Sequence, residues 1–366
     1  MRILITGGGT GGHTSPASAV IEELRRRDPQ LLLQWAGKRG AIEERVAKSL
    51  GVPFRAVPSA GWPRKRGPRQ AWVALKMAVG TLVALRSIRS FQPQIVFGVG
   101  GYVSLPAMLA AQELGVPVML HEQNKRLGKA NGLMAPKAAR VFLSFPDSIG
   151  SYPAERAMVV GNPVRAAFLT PPSPAEARKR FELAEGVPVV LVVGGSQGAK
   201  SINQAVAEVV QGFGERDAQF IWMTGRGNVE AAYAAASKSQ ATVRVYEFID
   251  DMAVAASAAD VILSRAGASS TAEIAALGKP SVLVPFPFAT DDHQTRNAEA
   301  FVEAGAAVLL PDAECTGARL AEELRGLLRD PERRARMGDA ARTLSYPNAA
   351  EAIVEAMLSH VFEGGR

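Results

Sequence analysis

The sequence predicts a two-domain α/β protein, each half a parallel sheet covered on both faces by helices. Three observations carry that prediction. The stretch Val189 to Ser201 reads as a buried, mostly β-branched strand, a tight turn through Gly194, Gly195 and Gly198, and a helix with Ile202, Ala205, Val206 and Val209 on one side. The same design opens the chain, where Ile3-Leu4-Ile5 runs into Thr6-Gly7-Gly8-Gly9-Thr10-Gly11-Gly12-His13 and then a helix. Strand and helix patterns then alternate over 366 residues, a length at which two cores are the default. Strand, glycine turn and helix together build an anion site: the helix N-terminus offers unpaired N–H groups and partial positive charge, and glycine admits a phosphate to the backbone.

In the first half, further strands are expected at 31–35, 52–57, 95–97, 118–120, 141–144 and 158–160, with a helix over 71–90. A third glycine loop, Gly98-Val99-Gly100-Gly101-Tyr102, follows the strand at 95–97, and the strand at 118–120 ends in His121-Glu122-Gln123-Asn124. Gly161-Asn162-Pro163-Val164-Arg165 closes this half, before the proline-rich run 170–174. The second half repeats the alternation, with strands at 189–193, 219–223, 243–247, 260–263, 281–284 and 307–310, and the tail is helical. Two such sheets place a ligand cleft at the carboxyl ends of their strands.

Composition narrows the class. A single cysteine, Cys315, excludes an intramolecular disulfide framework and suits a reducing compartment. Met1-Arg2 leads straight into a strand, with no secretory signal, and no apolar run is expected to span a bilayer. The net charge of +7 points to an anionic partner. With 6% aromatic residues and no basic segment interleaved with aromatics, nucleic acid is a weak reading.

Two familiar nucleotide motifs fail on inspection. Gly7, Gly9 and Gly12 fit the dinucleotide fingerprint, but the second strand ends Gln34-Trp35-Ala36-Gly37-Lys38-Arg39, without the acid that holds a ribose. An NADP-dependent enzyme stays open as an alternative, because those cations suit a 2′-phosphate. The loop before Lys200-Ser201 carries Ala199 where a P-loop needs glycine. The four histidines, His13, His121, His293 and His360, lack metal-ligand spacing, so neither a metal nor a cofactor is expected.

Other positions have two readings each. His13 is a loop histidine bonded to backbone, or a general acid/base or phosphate contact. Ser270 with Glu273 fits a capping box; otherwise the N–H groups of 268–270 face a ligand and Glu273 holds a ribose diol. Asp291 or Asp292 caps a helix on which Gln294 and Asn297 share a face that suits sugar hydroxyls.

Together, Gly8 to His13, Gly98 to Ser104, His121 to Asn124, Gly161 to Arg165, Gly194 to Ala199, Glu247 to Met252 and Asp292 to Ala298 resemble, in order, the motifs of the MurG family of glycosyltransferase family 28. These are bacterial transferases that move N-acetylglucosamine (GlcNAc) from UDP-GlcNAc onto the lipid-linked muramyl sugar, converting lipid I to lipid II in peptidoglycan synthesis. The resemblance implies a GT-B fold, two Rossmann-like parallel-sheet domains facing a central cleft. It implies a first domain of 1–162 joined by a C-terminal helix of about 345–366, and a second of 163–344. It implies that Ser196 and Arg165 contact the diphosphate, the Ile249 backbone reads uracil, Ala268, Ser269, Ser270 and Thr271 offer N–H groups, Glu273 holds the ribose and Gln294 binds the sugar. Thr10, Gly11, Gly12 and Asn124 complete the donor site, and Gly100, Gly101 and Tyr102 line the acceptor side. His13 is the candidate base and Glu122 the second. UDP would leave in one inverting displacement without metal.

A lipid-borne acceptor gives residues 62–90 a meaning. Trp62, Arg64, Lys65, Arg66 and Arg69 precede a stripe of Trp72, Leu75, Val79 and Leu82. Such a stripe ordinarily packs into a core. The alternative is a peripheral patch for an anionic membrane surface, at the cytoplasmic face of the bacterial inner membrane. Association with other cell-wall synthesis proteins follows from the same resemblance. An epimerising or non-catalytic UDP-sugar protein is the remaining alternative.

Overall fold

The computed structural model describes every residue except 64–66, 196, 290–291 and 364–366, and at Glu363 the backbone alone. The chain divides into two compact units, 1–165 with 346–366, and 166–345.

The strands of unit 1 are β1 (Arg2–Thr6), β2 (Leu32–Gly37), β3 (Phe54–Ala56), β4 (Ile95–Gly98), β5 (Val118–Glu122), β6 (Arg140–Leu143) and β7 (Ala157–Val159). All pair in parallel, in the order β3-β2-β1-β4-β5-β6-β7. The order reverses between β1 and β4, and that is where such a sheet opens a crevice at its carboxyl edge. Both faces are buried, so the strands are apolar at successive positions rather than alternating with polar ones. On one face Ile3, Ile5, Trp35 and Phe97 pack with Val20, Ile21 and Leu24 of helix α1 (Gly11–Arg27), Ala47 of α2 (Ile42–Ser49), and Ile353, Val354 and Met357 of the last helix, Ala349–Glu363. On the other, Leu4, Val96 and Leu120 pack with Ala84 and Ile88 of α3 (Pro68–Phe91), Ala107 and Ala111 of α4 (Leu105–Glu113) and Met134 of α5 (Lys129–Met134).

Helix α3 corrects two expectations. Its stripe is not core: Trp72, Leu75, Val79 and Leu82 are 54%, 65%, 43% and 59% exposed. The buried side carries Val73, Gly80, Ala84, Ser87 and Ile88. Small residues face inward because the helix lies close to its neighbours; a Cβ on Gly80 would collide with the Pro58 carbonyl and press on Pro106. By length and composition α3 is also apolar enough to cross a membrane, against the expectation that no run would be. Packing along its inner side makes it a surface helix of unit 1.

Unit 2 begins with α6 (Ala166–Leu169) and α7 (Pro174–Arg180), the latter started by a Ser173/Glu176 capping box. Its sheet has the order β10-β9-β8-β11-β12-β13, all parallel. The strands are β8 (Val189–Val193), β9 (Gln219–Met223), β10 (Val243–Tyr246), β11 (Val261–Ser264), β12 (Ser281–Leu283) and β13 (Ala307–Leu309). The reversal falls between β8 and β11. Helices α8 (Lys200–Val209), α9 (Val229–Ala236) and α10 (Met252–Ala258) follow β8, β9 and β10. Helices α11 (Ala268–Leu277) and α12 (His293–Glu303) follow β11 and β12, and α13 (Gly317–Leu328) and α14 (Pro331–Thr343) complete the unit.

Candidate functional site

Each unit puts its glycine loops at its switch point. In unit 2, β8 leads through Gly194 to Gly198 into α8, and β11 leads through Arg265 to Gly267 into α11. Gly195 and Gly198 have φ of +84° and +76°, and the Gly198 N–H donates to the Gly195 carbonyl at 2.9 Å. A side chain at Gly198 would strike the Thr224 carbonyl and Asn228, so the position needs glycine for space as well as conformation. Neither helix is capped by a side chain: the N-cap residues are Ala199 and Gly267. Two uncapped helix N-termini side by side therefore direct N–H groups and positive dipole at one place.

The capping-box reading of Ser270 and Glu273 fails here. Helix α11 starts at Ala268, so Ser270 is already its third residue and Glu273 lies inside it. Both belong to the lining of a cavity with Phe168, Met252, Ile274 and Leu277. Ala268, Ser269, Ser270 and Thr271 form the first turn, with Thr271 Oγ1 turned back onto the Gly267 and Ala268 carbonyls at 3.2 and 3.1 Å. Ile249 sits in the loop after β10, with its side chain in the core. Ser196 lies outside the described residues, as do Asp291 and the basic run 64–66.

The shared face of Gln294 and Asn297 is divided between two tasks. Asn297 is buried and donates to the Ala266 carbonyl at 3.0 Å, tying α12 to the loop before α11. Gln294 accepts from the Phe286 N–H at 2.9 Å through its carbonyl. Asp292 stands at the N-cap, but its carboxylate accepts from the Thr295 hydroxyl at 2.7 Å rather than from backbone.

Arg265 is a site residue to which sequence reasoning gave no role. Its guanidinium donates to the Val284 and Pro285 carbonyls at 3.2 and 3.1 Å, pairs with Asp312, and reaches Ser201 Oγ at 3.1 Å. One planar fork thus fixes the start of α8, the start of α11 and the loop after β12. Charged residues at the ends of apolar strands were the available signal.

In unit 1, the loops after β1, β4 and β5 converge. Gly100 and Gly101 have φ of +89° and +78°, and a Cβ on Gly101 would lie 2.5 Å from the Gly8 carbonyl oxygen. The Tyr102 ring lies against Gly9 and Gly61. Thr10, Gly11 and Gly12 are exposed at the start of α1, and Thr10 supplies no side-chain cap. His13 is half-buried, with Nδ1 3.0 Å from the Val99 carbonyl oxygen and 2.9 Å from Gln123 Oε1. Arg165 is half-buried at the end of this unit's main segment.

Glu122 is enclosed by its surroundings. It is 2% exposed, and its carboxylate accepts four hydrogen bonds: from the Asn124 N–H and side-chain amide at 3.0 and 3.1 Å, and from the Gly128 N–H and Asn131 amide at 2.9 Å each. A carboxylate so enclosed organises the loop 122–131 and has no lone pair turned toward an acceptor. Asn124 is drawn into the same network through its amide nitrogen.

Glu43 also escaped notice. The second strand ends without an acid, but α2 returns one: Glu43, fully buried, accepts from the Gly9 N–H and the Lys38 N–H at 3.0 Å each. The carboxylate occupies ground that a dinucleotide pyrophosphate would take, which disfavours the NADP alternative.

Residues 3–143 match the glycosyltransferase family 28 N-terminal domain, and residues 189–353 match the family's C-terminal domain. A relative from Exiguobacterium sp. is 39% identical over 360 residues, covering 97% of this chain and 98% of its own. One from Nitratidesulfovibrio vulgaris is 40% identical over 360 residues, covering 98% and 97%. Both are named UDP-N-acetylglucosamine–N-acetylmuramyl-(pentapeptide) pyrophosphoryl-undecaprenol N-acetylglucosamine transferase. The crystal structure of MurG from Acinetobacter baumannii is 31% identical with a TM-score of 0.76, covering 98% of this chain and 99% of that one. A UDP-GlcNAc 2-epimerase from Neisseria meningitidis, 17% identical with a TM-score of 0.68 and covering 98% and 100%, shares the fold alone. Paired parallel-sheet units with glycine loops at both switch points define a GT-B-type glycosyltransferase. The chain belongs to glycosyltransferase family 28.

Proposed function

We propose that the chain transfers GlcNAc from UDP-GlcNAc to the C4 hydroxyl of the muramyl unit of undecaprenyl-pyrophosphoryl-MurNAc-pentapeptide, with inversion and without metal. The observation that carries this is the pair of uncapped helix N-termini at the β8–β11 switch point, in a chain whose near-full-length relatives are named for that substrate pair. Unit 2 takes the donor. The first turn of α11, the Ile249 backbone, Glu273 and Gln294 hold nucleoside and sugar, and the start of α8 faces the diphosphate. Backbone dipoles and cations carry the leaving charge.

Unit 1 takes the acceptor, with Gly100, Gly101 and Tyr102 on the acceptor side. The C4 oxygen forms a bond to the anomeric carbon as the bond from that carbon to the β-phosphate oxygen breaks. The hydroxyl proton passes to His13, and the electron pair leaves with UDP.

Ligand-dependent melting tests this reading. UDP-GlcNAc at a hundred times its Kd is expected to stabilise the protein by about 2.7 kcal/mol. UDP-GalNAc should protect less, and NADPH not at all; protection by NADPH alone overturns the reading.

The same reading places the protein peripherally at the cytoplasmic face of the inner membrane. Support comes from the exposed row Trp62, Trp72, Leu75, Val79 and Leu82, with Arg69 and Lys76 nearby in sequence and the Lys76 ammonium 4.8 Å from the Trp72 ring centre. Full burial of one such side chain contributes about 1.5–3 kcal/mol, and each cation near an anionic surface about 1 kcal/mol. The protein is expected to sediment with anionic vesicles. Replacing Trp72, Leu75 and Leu82 together by alanine should weaken that at least about tenfold. Wild-type protein left in the supernatant would refute it.

A further inference from the structure

We propose that Gln123 and His121 are positioning residues that hold His13 as its Nδ1–H tautomer and so leave the Nε2 lone pair bare for the acceptor hydroxyl. This rests on the reading of His13 as the base.

The assignment follows from which atoms can only accept. Gln123 Nε2 lies 2.9 Å from the Val99 carbonyl oxygen and 3.3 Å from the His121 carbonyl oxygen. Two carbonyls demand a donor between them, so the amide is fixed with its NH2 group there. The same nitrogen lies 3.1 Å from His121 Nδ1, which therefore accepts. His121 Nε2 faces the Gly161 carbonyl oxygen at 3.0 Å and must carry that ring's proton. The amide oxygen of Gln123 is then left to face His13 Nδ1 at 2.9 Å, and the Val99 oxygen faces the same nitrogen at 3.0 Å. Both are acceptors, so His13 carries its proton on Nδ1. Among the described residues, no hydrogen bond is made to its Nε2.

Each link is buried except the last. Gln123 is 2% exposed and His121 fully buried, while His13 is half-buried with its ring beside Gly100 and Gly101. Burial also pushes the His121 imidazole down to about 4, with the Gly161 hydrogen bond opposing, so the ring stays neutral and keeps one lone pair for Gln123. A chain from the Gly161 carbonyl through His121 and Gln123 thus sets the tautomer of a histidine 110 residues away in sequence from Gln123. The orienting group is a neutral amide. It selects which nitrogen is bare without adding the charge by which a carboxylate would favour imidazolium.

The test uses the full-length protein labelled with 15N-histidine, because ring nitrogen shifts separate protonated from bare nitrogen. The His13 signals are assigned by their loss in His13→Gln. Wild type should show Nδ1 protonated and Nε2 bare at neutral pH. Gln123→Ala should show mixed tautomers, with kcat lowered about 10- to 100-fold, less than the whole contribution of a general base, and KM for UDP-GlcNAc unchanged. Gln123→Met, closer in volume, should behave alike. A wild-type ring protonated at Nε2, or unchanged kcat in both variants, overturns the proposal. Unchanged turnover in His13→Ala overturns only the reading of His13 as base. Should neither Gln123 variant fold, the wild-type spectrum decides.

Discussion

His13→Ala is expected to lower kcat about 10²- to 10⁴-fold at saturating acceptor, the range a general base contributes. Release of UDP from UDP-GlcNAc and a lipid-linked acceptor measures it. The position explains the size. His13 sits where α1 leaves the opening glycine loop, and its Nδ1 is tied to Val99 and Gln123. In the proposed function the nucleoside and sugar are held by unit 2, so KM for UDP-GlcNAc should move much less than kcat. A loss confined to the chemical step marks an interaction made in the transition state. Near-normal kcat would remove His13 from the mechanism and leave the proton to solvent.

Glu122→Ala should destabilise unit 1 strongly, on the order of 3–5 kcal/mol, since it strands four donors built around one buried carboxylate. Glu122→Gln separates the two roles considered for this residue. A base changed to its amide leaves fold and melting temperature intact and abolishes turnover. An organiser changed to its amide meets the Asn124, Gly128 and Asn131 donors with an NH2 group, and the melting temperature falls with activity. The second outcome is expected, read by calorimetry beside the assay. Unchanged stability with lost activity would restore Glu122 as a catalytic group.

Much of the architecture was legible because a parallel sheet buried on both faces writes its strands as short apolar runs. Val189 to Val193 and Ile95 to Phe97 are such runs, and the glycines after them mark turns that larger residues cannot make. The glycine loops at the strand ends were legible for the same reason. What could not be read was where side chains turn. Glu122 stands in a polar tetrapeptide that looks exposed, and only the fold shows Asn131 closing over it. His13 and Gln123 meet because β1, β4 and β5 end at one edge of a sheet, and no spacing in the chain encodes that. The α3 stripe showed its period but not its direction. Periodicity locates an apolar face; whether the core takes it depends on how closely the neighbours approach, and here Gly80 and Ala84 take the inside.

Glu43 has a consequence for how the protein sorts its ligands. A cell holds many soluble phosphates, and a chain with glycine loops in both halves offers them more than one address. At the opening loop the protein has installed an anion of its own, covalently attached and always at full local concentration. A free nucleotide arriving there must displace a group that never diffuses away, and it meets like charge as it does so. Under the proposed function, that keeps the nucleotide to the second unit and leaves the first for a partner recognised by its hydroxyl.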